Sequence, residues 1–202
     1  LKLNDKMQYS FNANLKGFNL KDLNNYYKLN LIEGKIDLNT NLKGLFLSNN
    51  QLFPIREIFY NSNGESILTS NQLVIKNINL NNLNKNIKYL KNLNQIPELS
   101  KSLFKGDTSI ADQEIKIIHE KDILKLPLTK FRVGNDPIKV LGEYNIKSKK
   151  IEVNSNYDTN EGFLSLFKIK TKGSISKPTT TLSFDDAAVS LLLKNLAEKE
   201  LK

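Results

Sequence analysis

His119 is the one histidine in the chain, and Ile118, Glu120 and Asp122 are its neighbours. An imidazole beside carboxylates is raw material for general acid–base work or for a metal site, but both uses need partners that converge from elsewhere in the fold. A lone imidazole with only local carboxylates, at the end of a strand, is expected to be an exposed side chain. Asp185 and Asp186 form a second acid pair. A helix start accounts for them, because Ser183 and Asp186 are spaced like a capping box and both acids sit where a helix dipole is positive. Gly34, Gly64, Gly106 and Gly142 each precede a strand-like run of the form G-x-x-x-aliphatic, and none is followed by a helix and a Lys-Ser or Lys-Thr pair that would make it a phosphate cradle. No nucleophile elbow, P-loop, dinucleotide fingerprint or paired-carboxylate motif occurs. The residues point away from an enzyme, and no catalytic residue, metal ligand or cofactor is assigned.

The formal charge is +9, from 30 basic and 21 acidic residues. Nearly all of the positive charge is lysine, the arginines being Arg56 and Arg132, and the lysines are scattered among asparagine and isoleucine. That mixture reflects a coding bias as readily as a selected basic surface. Nucleic-acid readers cluster Arg and Lys on one face and interleave exposed aromatics, which this sequence does not do, so nucleic acid is not expected as a partner. A diffuse attraction to anionic membrane surfaces stays open. There is no cysteine, hence no disulfide frame and no thiolate site. No run approaches the length of a membrane-spanning helix, and the start, LKLNDKMQYS, is neither an initiator methionine nor a signal peptide, so the chain is read as an excerpt of a longer protein.

The elements that would position any site are mostly strands. VLGEYNIKS, KKIEVNSNYD and FLSLFKIKTKGSI, all after Val140, carry apolar residues at every second position and are joined by short polar turns, which predicts an antiparallel meander. Residues 8–16 alternate in the same way before FNLKDLNNYY, whose Leu20, Leu23 and Tyr27 suit a short helix. LKGFNLKDLNN at 15–25 aligns without gaps to IKNINLNNLNK at 75–85, so a strand-to-helix unit recurs. Helices are expected over about 81–93 and 97–104, separated near Pro97, with a further short one over 49–59 and a closing helix over about 185–201. Pro127 is expected at an edge or in a loop. The whole, residues 1–202, reads as one mainly β domain with a few helices. Its many apolar strand positions leave two possibilities, an ordinary core closed under the helices or an open trough that keeps an apolar inner surface.

Three stretches carry a resemblance. GEYNIKSKKIEV, LFKIKTKGSISKPTTTLSFDDAAVSLLLKNL and SILTSNQLVIKNINLNNLNKNI are similar to the C-terminal region of AsmA-family proteins, bacterial relatives of the bridge-like lipid-transfer proteins. The family's last strand passes through glycine and proline into a terminal helix, here Phe167, Ile169, Gly173, Ile175 and Pro178, and its Ile-x-Leu step before a helix is similar to Val74 through Leu83. The resemblance implies an elongated, curved antiparallel sheet with an open hydrophobic groove. It also implies a periplasmic place, tethered to the inner membrane through an N-terminal anchor that this sequence lacks, and a non-enzymatic role in phospholipid passage toward the outer membrane of Gram-negative cells. Phospholipid acyl chains would then be the partner. Strand parity proposes Ile36, Leu38, Ile115, Ile117, Val140, Tyr144, Ile151, Val153, Phe167 and Ile169 as groove-lining residues. The alternative is a scaffold or assembly factor for outer-membrane proteins, with a closed, dry core and an envelope protein bound at a sheet edge or terminal helix.

Overall fold

A computed structural model of the chain describes residues 6–27, 31–47, 59–88, 93–133, 136–157 and 167–184, together with Ser190 and Lys194. Nine strands form one open, curled sheet in which every neighbour in sequence is a neighbour in space and every pair is antiparallel. They are β1 (Lys6–Asn19), β2 (Ile32–Leu47), β3 (Ser62–Ile75), β4 (Thr108–Glu120), β5 (Ile123–Val133), β6 (Asp136–Asn145), β7 (Lys150–Tyr157), β8 (Phe167–Ser174) and β9 (Lys177–Phe184). Helix α1 (Leu20–Tyr27) lies between β1 and β2, and α2 (Leu80–Lys88) and α3 (Ile96–Leu103) lie between β3 and β4. The expected meander at the C-terminal end therefore extends over the whole sheet. The helices anticipated over 49–59 and 185–201 fall largely or wholly outside the described residues.

The repeated sentence is a repeated structure. Gly17 (φ 63°) and its counterpart Asn77 (φ 60°) both turn left-handed at the end of a strand, a conformation that glycine and, next best, asparagine adopt at low cost. An aspartate of the following strand unit fixes each corner, Asp37 Oδ1 accepting from Gly17 N at 2.6 Å and Asp107 Oδ1 accepting from Asn77 N at 2.9 Å. Two residues on, Asn19 Oδ1 accepts from Lys21 N at 3.0 Å and Asn79 Oδ1 from Asn82 N at 2.8 Å, so each helix starts on an asparagine cap. Leu20 and Leu80, next in both copies, enter the core. Pro97 lies in the first turn of α3 behind a 3₁₀ turn over Leu93–Gln95, where its missing N–H leaves no bond unmade.

Two ends of the sheet differ. At one rim the turns are joined by backbone hydrogen bonds, from Lys121 N to Ser62 O, Ile146 N to Asp122 O and Ile175 N to Lys149 O, at 2.8–3.0 Å. At the other, helix residues Leu20, Leu80, Leu83, Leu99 and Leu103 share one buried cluster with Ile36, Leu73 and Ile110 on β2–β4 and with Phe131, Val133, Ile138 and Ile169 on β5, β6 and β8. The seam between the halves is β4–β5, paired only over Ile118–Glu120 and Ile123–Lys125, whereas β3 and β4 pair from end to end. Pro127 follows at once, within β5 and at its bulge between Leu126 and Thr129. Beyond Lys125 the β4 side of β5 is locally an edge, and a residue without an N–H is tolerated there. Gly142 does not open a strand as expected: it lies deep in β6, paired with Leu126 and Val153, and Val153 packs so close that a Cβ at Gly142 would meet its Cγ2 at 3.0 Å.

The inner face as candidate functional site

Residues directly opposite one another in antiparallel strands point to the same face. The register carries one such row across all nine strands: Phe11, Leu42, Gly64, His119, Leu124, Tyr144, Ile151, Gly173, Pro178. A second runs Leu15, Leu38, Leu68, Ile115 on β1–β4, and Thr129, Val140, Ser155, Ile169, Leu182 on β5–β9. Between them, Thr40, Ser66 and Ile117 align, as do Leu126, Gly142 and Val153. The face that bears the helices, the inner face, is thus apolar over most of its width. Asn, Lys, Glu and Thr alternate on the outer one.

Nine of the ten residues selected by parity fall on this inner face. Ile36 and Ile169 are in its closed part, each 5% exposed within the helix-covered cluster. Leu38, Ile115, Ile117, Val140, Tyr144, Ile151 and Val153 are half-buried, with Ile115 and Val140 packed against the edge of that cluster. The tenth, Phe167, opens β8 opposite Phe184, and its side chain is outside the described residues. Near the turn rim the face is capped on the β1 side by Phe59, whose ring meets Phe11 edge-on at 6.1 Å. The next residue, Tyr60, receives Lys147 of the β6–β7 turn over its ring at 5.4 Å. Six strand spacings of a flat sheet, roughly 29 Å, would separate β1 from β7. Two adjacent residues reach both, as the curl requires.

Within this apolar face is a polar line that periodicity did not single out. Thr40 Oγ1 and Ser66 Oγ are 2.9 Å apart, and Ser66 Oγ is 2.7 Å from His119 Nε2. His119 is 6% exposed and Ser66 3%, so the expectation of an exposed histidine is corrected. The cause is parity: His119 is two residues from Ile117 and opposite Gly64, where no side chain competes for the space. Burial holds the imidazole pKa below its ordinary value. His119 Nδ1 and Ser62 Oγ are buried with no hydrogen-bond partner among the described residues. A serine hydroxyl within reach of an imidazole has the spacing of a nucleophile and its base, but here the hydroxyl is out of contact with solvent and the second ring nitrogen has no orienting acceptor. Ser62, Ser66 and Ser70 lie four apart on β3 and are all buried, a spacing visible in the sequence to anyone following polar residues by parity as well as apolar ones.

Among the described residues no group of His, Cys, Asp and Glu could hold a metal ion, and no helix is long and apolar enough to cross a membrane. A polar cleft of about 460 Å³ lies where the β1 and β2–β3 irregularities meet, lined by Gly17, Gly34, Asp37 and the stretch Thr69 to Gln72. Asp37 there is already engaged by Gly17 N. The chain matches no family model, and no curated protein and no solved structure matches it.

Proposed function

We propose that the half-buried part of the inner face binds the acyl chains of phospholipids, and that the chain is a non-enzymatic lipid-binding module of the AsmA kind acting in the periplasm between the two bacterial membranes. The observation that carries the reading is that seven parity-selected apolar residues share one face and are each left only half covered by the protein itself. An acyl chain exchanging water for such a surface gains about 0.8 kcal/mol per buried methylene. Rows of similar aliphatic residues favour sliding over trapping, and head groups would stay at the polar rim of turns. A second reading rests on the edges: among the described residues β1 pairs only with β2, so a protein partner could add a strand there, whereas β9 carries Pro178, which blunts the opposite edge.

The test is native mass spectrometry with lipid extraction, on protein expressed in a bacterial periplasm and purified without detergent. Ile151→Asp and Val153→Asp place a charge at half-buried positions, where the sheet should survive. Ile169→Asp would instead bury an unpaired charge in the closed cluster and unfold it. Co-purifying phospholipid that is lost in the two folded variants is the expected result. Folded variants with an unchanged lipid load would refute the site, and a folded wild type free of lipid would favour the strand-addition reading.

A further inference from the structure

The outer face is electrically divided. On β2–β4 its charged positions lean acidic, Lys35, Lys43 and Lys116 standing against Glu65, Glu114 and Glu120 with Glu33 and Asp37 nearby. On β6–β9 the sign reverses. Lys168, Lys170 and Lys172 alternate along β8 and so share the outer face, Lys139 and Lys168 are both opposite Asn156, and Lys150 and Lys177 are both opposite Ser174. Against these six lysines stand two carboxylates, Glu143 and Glu152. Glu152 is held by Lys170 at 2.5 Å, which draws its pKa down. Four of the six lysines, Lys150, Lys168, Lys172 and Lys177, are exposed.

Two of the few large apolar side chains exposed in the described chain lie on the same half. Leu141 is 49% exposed on the outer side of β6, and Leu128, 65% exposed, stands in the β5 bulge directly across from it. Neither packs on the core, and the row through Leu141 continues to Asn154, Lys170 and Thr181. Lysines around a small exposed apolar spot, on a sheet face with no deep concavity, fit an anionic bilayer surface: the ammonium groups meet phosphates while the leucines enter the boundary with the acyl region. A nucleic acid would leave the leucines unused, and the described outer positions of β6–β9 offer neither the arginine nor the aromatic side chains with which such partners are held.

We infer that the outer face of β6–β9, with Leu128 and Leu141, docks the domain on membranes containing anionic phospholipid. The inference does not depend on what the inner face holds. Co-sedimentation with vesicles of phosphatidylcholine alone, and of about three parts phosphatidylcholine to one of phosphatidylglycerol, at roughly 0.1 M salt, tests it. The wild type should bind only the anionic vesicles and be released at about 0.5 M salt, where the screening length is short. Each surface lysine contributes about fivefold to partitioning, so K168Q/K170Q/K172Q should weaken binding roughly 100-fold. K35Q/K43Q/K116Q removes the same charge from the acid-leaning half and should stay within about threefold. If circular dichroism shows the first variant misfolded, K172Q/K177Q, at two exposed positions, carries the test with an expected loss of about 25-fold. Equal losses in the patch and control variants, equal binding to neutral vesicles, or a preference for single-stranded RNA over anionic vesicles at the same salt would each overturn the assignment. Ile151→Asp should leave vesicle binding intact, which separates a failure here from a failure of the acyl-chain site.

Discussion

His119→Gln should remove a specific portion of the acid sensitivity of this fold. In the folded protein the imidazole is buried among Gly64, Leu124 and Ser66, none of which carries a charge, and burial lowers its pKa from 6.5. A base with a depressed folded-state pKa takes up its proton more readily in the unfolded chain. The neutral form's stability is therefore fully present above pH 6.5 and is lost as pH falls from there toward the folded-state value. One proton gives a slope of about 1.4 kcal/mol per pH unit inside that window, so between about pH 7.5 and 5.5 the loss due to His119 is at most about 1.4 kcal/mol. Carboxylates contribute to the pH dependence of both proteins and cancel in the difference. Glutamine keeps a group able to hydrogen-bond Ser66 but does not titrate. Urea unfolding of wild type and His119→Gln at four pH values across that range gives the double difference directly. The expected outcome is a gap between them that shrinks as the pH falls through the window, by no more than about 1.4 kcal/mol. Parallel curves would mean that His119 is solvated or finds a partner for its charge, and that the buried polar line is not as described.

Two further substitutions examine the core and the repeated corner. Leu83 is fully buried in the cluster that joins the helices to both halves of the sheet, and Leu83→Ala should cost about 2–5 kcal/mol in denaturant unfolding. A loss below about 1 kcal/mol would mean that α2 is not part of the cooperative core. Gly17→Ala meets no atom within 4 Å of the added Cβ, so its cost is conformational only, from a φ of +63°, and should be about 1–2 kcal/mol. Gly17→Asn should cost less, because Asn77 adopts the same conformation in the second copy. Equal costs for alanine and asparagine would sink the equivalence of the two corners.

Strand parity was legible because an antiparallel sheet with one wet face imposes a period of two and nothing else competes with it. Ile151 and Val153 could be assigned to a face without knowing their neighbours, and so could Ile36 and Leu38. The 15–25 and 75–85 match was legible as a recurring strand-to-helix step, but not its mechanism, since the aspartates that fix the corners, Asp37 and Asp107, lie 20 and 30 residues away and no local spacing points to them. His119 was misjudged because its neighbours in sequence are charged while its neighbours in space are Gly64, Ser66 and Leu124, a pairing that only the register supplies. Lys121 turns left-handed at the β4–β5 hairpin (φ 56°) with no glycine or asparagine to mark it. The charge division of the outer face was hidden in composition, because lysines scattered through the sequence gather only when β6, β7, β8 and β9 are laid side by side. The helices cover one end and not the other because they sit in the β1–β2 and β3–β4 connections, both at the same rim of the meander.

That seam also constrains how the two faces would work together. Eight strand spacings place the ends of the inner row about 38 Å apart along the curl, whereas one leaflet's acyl chains, half of a roughly 30 Å hydrocarbon core, span about 15 Å, or three strand spacings. A single chain laid on that row from β5 would thus reach across β6 and β7 to β8, past Leu124, Tyr144, Ile151 and Gly173, without touching the closed cluster at the helical end. The same stretch of sheet turns Leu141, Lys139 and Lys150 outward. Only about one sheet thickness therefore separates the proposed acyl site from the proposed headgroup surface. On the four strands before the seam, Leu42 is completely buried and the outer face carries more carboxylates than lysines. Four of the seven half-buried residues of the proposed acyl site, Val140, Tyr144, Ile151 and Val153, stand on the same strands as the lysine face, and the other three, Leu38, Ile115 and Ile117, continue that site across the seam onto β2 and β4.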